Sequence, residues 1–97
     1  MNNRHHKNPR FPLGRVLATP GAIAALEAAQ VLPKDYLACH VSGDWGDLDE
    51  EDQQANEQAL IVGARLFSAY SLPTGVRIWI ITEADRSAST LLLPSEY

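Results

Sequence analysis

The hydrophobic pattern of this chain changes its period near residue 65, and this change constrains the fold more than any other feature. Before that point, apolar residues recur at helical spacing between proline and glycine breaks, and beyond it they alternate at strand spacing in three short runs. A chain of 97 residues has room for one hydrophobic core. We therefore predict a single α+β domain whose antiparallel sheet packs against two or three helices.

The predicted order of elements is β-α-α-α-β-β-β. A short strand is expected within residues 11–18, and helices are expected to begin at Pro20, Pro33 and Asp49, because proline and aspartate are favoured at helix starts. The three later strands are expected at residues 66–71, 76–82 and 89–93. The middle run is apolar on both faces, which predicts a central strand. Helical spacing predicts that the inward positions of the first and third helices include these residues: Ile23, Leu26, Ala55, Ala59 and Val62.

Charge is distributed unevenly along the chain. The net charge is -4, yet residues 1–15 contain four basic residues and no acidic one, namely Arg4, Lys7, Arg10 and Arg15. Residues 16–97 carry four basic and twelve acidic residues, a net charge of -8. We predict a flexible basic tail at residues 1–10 and an acidic folded domain at residues 11–97.

The region between Asp44 and Glu57 is the leading candidate for a functional surface, because it contains seven carboxylates and no Lys or Arg. Acids at a helix start are explained by capping and by the helix dipole, and they are also suited to recognising a basic protein partner. Their spacing does not match a calcium-binding loop. Trp45 would be an interface anchor if exposed and would pin the turn to the core if buried. The predicted partner-binding residues are Asp44, Trp45, Asp47, Asp49, Glu50, Glu51 and Asp52.

Glu83, Asp85 and Arg86 form a secondary candidate site at the end of the central strand. Two carboxylates beside an arginine are suited to acid–base or phosphate chemistry, and strand ends are common places for sites. A polar hairpin turn with a local arginine–carboxylate pair would need the same residues. The sequence leaves both readings open.

The sequence otherwise offers little that is typical of an enzyme. Cys39 and His40 are neighbours on a predicted helix, where their side chains would point ~100° apart and could not form a catalytic pair. The chain has no phosphate-binding glycine loop, no nucleophile elbow and no zinc-binding pattern. We expect a non-enzymatic protein that uses no cofactor and no metal.

Other features bear on location and assembly. No apolar run approaches the ~18 residues of a membrane span, and no export signal is recognised at the start of the sequence. A single cysteine is typical of a reducing compartment, so we expect a cytoplasmic protein. An unpaired edge at the first or last strand would allow a homodimer, which the sequence leaves open.

Three stretches carry a resemblance to a known family: FPLGRVLATPGAIAALE, HVSGDWGDLDEEDQQANEQAL and RIWIITEADRSASTLLLPSEY. Together they resemble the small plasmid-related proteins of proteobacterial plasmids and integrative elements, over nearly all of residues 11–97. Some members are labelled type I restriction subunit M, an activity that needs a much larger fold than this chain can form. The resemblance implies a mobile genetic element as the setting and supplies no catalytic or binding residues.

Three hypotheses for function follow. The first is an interaction protein of a mobile element, with a role in counter-defence, that binds a basic protein through the acidic region. The second is a nucleic-acid accessory protein that uses the tail residues Arg4, Lys7 and Arg10. The third is a small ribonuclease acting through Glu83, Asp85 and Arg86, since the element order resembles that of mRNA-cleaving toxins with the RelE fold. Those toxins are basic, whereas residues 16–97 are strongly acidic.

Overall fold

A computed structural model describes residues 8–97, which contain three α-helices and four strands in the predicted order. The α+β class and the order β-α-α-α-β-β-β are confirmed. Of the predicted tail at residues 1–10, residues 1–7 lie outside the described residues. The elements are β1 (Arg15–Ala18), α1 (Pro20–Ala29), α2 (Pro33–Val41), α3 (Glu50–Val62), β2 (Leu66–Ser71), β3 (Arg77–Thr82) and β4 (Ala88–Leu92), followed by a 3-10 helix (Pro94–Glu96).

The four strands form one sheet in the order β1-β4-β3-β2. The pairs β2–β3 and β3–β4 are antiparallel, which confirms the predicted antiparallel arrangement of the last three strands and the interior position of β3. β1 pairs with β4 in parallel, so the sheet as a whole is mixed. Parallel neighbours require a crossover connection, and the helical segment after β1 supplies it. β4 is therefore an interior strand. Of the two strands at which an unpaired edge was expected, the first and the last, β1 lies at an edge of the sheet and β4 does not.

The helices begin and end at the residues that their caps favour. The Thr19 side chain caps α1 by accepting a hydrogen bond from the Ala22 amide, and the Asp49 side chain caps α3 by accepting one from the Asp52 amide. Gly63 ends α3 with a φ of 75°, a left-handed conformation that suits glycine. The Glu96 carboxylate also accepts a hydrogen bond from the Gly21 amide, which ties the C-terminal segment to the start of α1.

The main core lies between the helices and one face of the sheet. Its buried residues are Ala22, Leu26, Tyr70, Leu72, Ile78, Ile80 and Leu91. Two helix faces differ from the prediction, because Ile23 and Val62 are 46% and 62% exposed and Ala55 is exposed as well. Ala22 and Asn56 take inward positions instead. A small side chain at Ala22 lets α1 lie close to the sheet, and the Asn56 amide is buried because it has backbone partners there.

The outer edge of β2 is closed by groups from other parts of the chain. The Asn56 amide donates to the Phe67 carbonyl at 2.6 Å and accepts from the Phe67 amide at 3.1 Å. The backbone of the loop before α3 continues this pairing, since the Ala69 amide donates to the Trp45 carbonyl and the Asp47 amide donates to the Ala69 carbonyl. At the other edge, all four residues of β1 are exposed. β2 is thus protected against pairing with another chain, whereas β1 is not protected in this way.

Candidate functional site

The predicted acidic region forms an exposed surface at the start of α3. We call the side chains of Asp44, Asp47, Asp49, Glu50, Glu51 and Asp52 the acidic surface, and all six are exposed. Neither of the two ion pairs found within residues 8–97 involves any of them. Asp49 caps α3, so the capping role is real for this residue. The remaining negative charge of the surface is not balanced by an ion pair in the described part of the chain.

Trp45 lies beneath this surface and is only 4% exposed. Its ring stacks on Phe11 at a centroid distance of 6.2 Å and contacts the His40 ring at 5.8 Å. Its Nε1 donates to the Glu57 carboxylate at 3.1 Å. Of the two roles predicted for Trp45, the structure therefore shows the one in which it pins the turn to the core, and an exposed interface anchor is not seen.

The loop that carries Asp44 and Asp47 is also anchored to β2. The Tyr70 hydroxyl donates to the Asp44 carbonyl at 2.6 Å, and burial raises the pKa of this hydroxyl. The Ser71 hydroxyl donates to the Asp47 carboxylate at 2.7 Å. Together with the backbone pairing to β2, these contacts hold the acidic loop against the edge of the sheet.

Glu57 differs from the other acids of its region because it has a cationic partner. Both of its carboxylate oxygens accept from the Arg10 guanidinium, at 3.0 and 2.8 Å. The hydrogen bonds from Arg10 and Trp45 lower the pKa of Glu57. Arg10 was predicted to belong to the basic tail, and its guanidinium is instead committed to this pair. Arg4 and Lys7 lie outside the described residues.

Arg86 of the secondary candidate site is bound to backbone carbonyls. Its Nη1 donates to the carbonyls of Ala64, Glu83 and Ala84 at 2.6, 3.1 and 3.1 Å, and its Nη2 donates to the Ala59 carbonyl at 3.2 Å. The Ala59 carbonyl lies in the last turn of α3, where a cation is favourable, and Ala64 follows the Gly63 cap of that helix. The guanidinium thus fastens the β3–β4 turn to the end of α3.

The two carboxylates of that candidate site have other partners. The Glu83 carboxylate lies 4.0 Å from the Nε of Arg65. The Asp85 carboxylate accepts from the Ser87 amide at 3.0 Å, and the hydrogen bonds with Ser87 lower its pKa. The structure therefore places Glu83, Asp85 and Arg86 in one turn without directing their charged groups at a shared site.

A buried polar network around His40 was not predicted. His40 is fully buried, with Nδ1 at 2.5 Å from the Ser68 hydroxyl and Nε2 at 2.8 Å from the Thr82 hydroxyl. The Thr82 hydroxyl is 2.6 Å from that of Ser89, which in turn donates to the Leu13 carbonyl at 2.8 Å. No sequence pattern signals this network, because its members come from five separate segments.

The directions of these hydrogen bonds determine the tautomer of His40. Ser89 uses its only hydroxyl proton on a carbonyl, so Thr82 must donate to Ser89, and His40 Nε2–H must donate to Thr82. Nδ1 is then the acceptor of the Ser68 hydroxyl in a neutral imidazole. Burial lowers the pKa of His40 to about 4, in agreement with a neutral ring. The buried ring has a structural role, since a substrate could not reach it.

Cys39 precedes this histidine and is half-buried on α2. Burial raises the pKa of its thiol, and the nearby carboxylates of Asp44 and Asp35 raise it further. A raised pKa leaves little thiolate at neutral pH. The thiol is therefore not activated as a nucleophile.

The sheet face opposite the helices contains an aromatic groove that the sequence analysis also missed. The groove has a volume of about 290 Å³ and is lined by Arg65, Leu66, Phe67, Trp79, Ile81 and Tyr97. The Trp79 ring meets Phe67 and Tyr97 edge to face, at centroid distances of 4.9 and 5.7 Å. Arg65 donates to the Tyr97 hydroxyl at 3.1 Å and lies over its ring. The alternation of residues along β2 and β3, which places Phe67 and Trp79 on one face, was the signal that could have revealed it.

Residues 8–97 contain no group of three or more His, Cys, Asp or Glu side chains arranged to hold a metal ion. No helix in the same part of the chain is long and apolar enough to cross a membrane. Comparisons with family models, curated proteins and solved structures return no match. The resemblance to plasmid-related proteins therefore stays a prediction.

Proposed function

We propose that this chain is a non-enzymatic interaction protein that binds a basic protein partner through its acidic surface. The observation that carries the proposal is the set of six exposed carboxylates with no ion pair among residues 8–97. A mobile genetic element as the setting, and counter-defence as the purpose, belong to the same proposal and derive from the resemblance alone.

The anchoring of the acidic loop supports this proposal. Binding is weakened when a loop must be ordered in the complex, and a loop held in advance avoids that cost. Here the burial of Trp45, the Tyr70 hydroxyl bond to the Asp44 carbonyl and the backbone pairing with Ala69 hold the loop. The carboxylates are thus presented from a fixed backbone.

Electrostatics favours a cationic partner for the same surface. Like charges grouped at one site repel each other, and a basic partner relieves that repulsion while its own charges are neutralised. Such a surface also attracts a basic protein over about a Debye length, which is ~8 Å at physiological salt. Association through the acidic surface should therefore slow as the salt concentration rises.

The groups that an enzyme could use support a binding role instead. His40 is buried and neutral, the thiol of Cys39 is not activated, and Arg86 is committed to carbonyl oxygens. Each of these side chains stabilises the fold. In the acidic surface, Asp49 caps α3 and the Asp47 carboxylate is bonded to Ser71, whereas Glu50, Glu51 and Asp52 have no ion pair within residues 8–97.

A Glu50→Gln/Glu51→Gln variant tests the proposal. Partners are captured from a host-cell lysate with the full chain and identified by mass spectrometry, and the affinity of each basic protein retained is then measured. We expect the affinity of the specific partner to fall roughly tenfold in the variant, because two of its ion pairs are lost. Asp49 is left unchanged because it caps α3, so the variant should keep its helix.

A Glu27→Gln/Asp35→Asn variant is the matched control, because it removes the same charge from exposed positions outside the acidic surface. It should bind the partner within about twofold of the unmodified protein, since distant surface charges are screened. Equal losses in the two variants would mean that only net charge matters. Unchanged binding in the Glu50→Gln/Glu51→Gln variant would refute the assignment of the surface.

A further inference from the structure

The face of the sheet that the helices leave uncovered has a different charge from the rest of the domain. We call it the open face, and its strand positions follow from alternation with the buried side chains and from the strand register. They are Arg15, Leu17, Phe67, Ala69, Ser71, Arg77, Trp79, Ile81, Ala88, Thr90 and Leu92, of which Ala69, Ile81 and Leu92 are buried. None of these positions is acidic, although the domain as a whole has more acidic than basic residues.

Three of the five arginines within residues 8–97 lie on or beside this face. Residues 8–97 contain six basic side chains, of which Arg15 and Arg77 lie on the open face and Arg65 lines its groove. Two of the other three, Arg10 and Arg86, are bound to Glu57 and to backbone carbonyls respectively. Two carboxylates reach the border of this face: Glu83 lies 4.0 Å from Arg65, and Asp47 accepts from the Ser71 hydroxyl. Arg15 and Arg77 have no ion pair within residues 8–97.

The strand register places the arginines at both ends of an apolar strip. Arg15 pairs with Ala88 at the start of β4. β2 begins at the same end of the sheet, directly after Arg65. Arg77 starts β3 and lies at the opposite end. Four strands spaced ~4.8 Å apart make a platform about 14 Å wide. A strand of a few nucleotides fits such a platform.

The groove between these charges has the properties of a stacking site. Trp79 is half-buried, with Phe67 and Tyr97 edge-on to it, and it lines the groove, where its ring can contact a planar ligand. A volume of about 290 Å³ lies at the lower end for ligand sites, and it suits one planar ring system. Proteins that bind single strands combine aromatic platforms with cations that follow the phosphates.

From this arrangement we infer that the open face binds single-stranded nucleic acid, with one base against Trp79 in the groove and phosphates near Arg15, Arg65 and Arg77. A duplex presents phosphates but keeps its bases stacked inside, so it cannot place a base in the groove. The inference concerns a face other than the acidic surface, and its test is independent of the proposed protein partner.

The test measures the binding of a short fluorescein-labelled oligouridylate to the full chain by fluorescence anisotropy at several salt concentrations. We expect a micromolar dissociation constant at low salt and at least tenfold weaker binding of a duplex. Arg77→Gln should weaken single-strand binding about fivefold near 0.1 M salt and reduce the salt slope by ~0.7, the value for one phosphate contact. Lys34→Gln is the control with the same charge change, because Lys34 is an exposed residue of α2.

Tryptophan fluorescence identifies the groove as the binding site. Stacking of a base should quench Trp79, whereas Trp45 is buried and should respond little. Trp79→Phe keeps an aromatic platform, so binding should weaken no more than about threefold while the quenching is lost. Circular dichroism checks that this variant is folded.

Several outcomes would overturn the inference. They are equal binding of duplex and single strand, quenching that persists in Trp79→Phe, and equal effects of Arg77→Gln and Lys34→Gln. Binding that is lost in an Arg4→Gln/Lys7→Gln variant but kept in Arg77→Gln would assign the contact to the tail instead. The absence of binding at about 100 μM protein in low salt would also reject it, because that is the weak limit of nonspecific binding.

Discussion

An Arg86→Met variant is expected to lose about 2 to 3 kcal/mol of unfolding free energy, the usual range for hydrogen bonds to a charged group in a partly buried site. The guanidinium donates to four carbonyl oxygens, and those of Ala59 and Ala64 lie at the C-terminal end of α3. Removing it takes the guanidinium donor from the Ala64 and Ala84 carbonyls, whereas the Ala59 and Glu83 carbonyls keep backbone donors. It also removes a cation from the negative end of the helix dipole. Urea denaturation measures the loss.

Methionine is the suitable replacement because of the backbone at this position. Arg86 has a φ of 62°, so glycine would relieve backbone strain and mask part of the loss. Arg77→Met is the matched control, since Arg77 is exposed and has no hydrogen bond or ion pair recorded within residues 8–97. It should change stability by no more than about 0.5 kcal/mol. A loss in Arg86→Met no larger than in this control would show that Arg86 does not fasten the turn to α3.

The order of elements could be predicted from the sequence because its signals are local. Pro20 and Pro33 occupy the first positions of their helices, and Gly63 ends α3 in the left-handed conformation. The change from helical to alternating period near residue 65 correctly separated the helices from β2, β3 and β4. Each of these signals acts within a few residues, so it can be recognised without knowing the tertiary structure.

The features that were missed depend on contacts between distant segments. Asn56 was not recognised as buried, because its partner is the backbone edge of β2, eleven residues away. His40 is 28 residues from Ser68 and 42 from Thr82, so nothing local reveals that its ring has two hydroxyl partners. The parallel pairing of β1 with β4 has the same cause. Long-range pairing is determined by the packing of the whole chain.

The two candidate sites show the same difference between what the sequence indicates locally and what depends on contacts between distant segments. The sequence did not decide whether the acidic region is exposed, and the structure shows that the six carboxylates of the acidic surface are exposed, as carboxylates without partners usually are. The assignment of Arg86 to a site shared with Glu83 and Asp85 rested on sequence proximity. In the folded chain its guanidinium is instead bound to carbonyls that include those of α3, more than twenty residues away. A charged side chain is thus better interpreted from its nearest neighbours in space than from those in sequence.

Acidification from pH 7 to pH 5 is expected to destabilise the protein by about 2 kcal/mol through His40 alone. Burial lowers the pKa of His40 from 6.5 in the unfolded chain to about 4 in the folded one. Between these two values the unfolded state binds more protons than the folded state. The contribution of His40 to stability is therefore fully present above pH 6.5, and it is lost progressively as the pH falls toward 4. Urea denaturation at several pH values between 7 and 5 measures the slope.

The hydrogen-bond network explains why the folded protein resists protonation of His40, and a His40→Gln variant isolates the effect. A proton on Nδ1 would lie against the hydroxyl hydrogen of Ser68, whose oxygen is 2.5 Å from Nδ1. The ring is also fully buried, so water cannot stabilise a charge on it. The variant should be less stable at pH 7 but should show little change between pH 7 and pH 5. Carboxylates affect both proteins equally, since the shifted ones, such as Glu57, have lowered pKa values and titrate below this range. If the two proteins lost the same free energy on acidification, the neutral buried His40 could not be the cause.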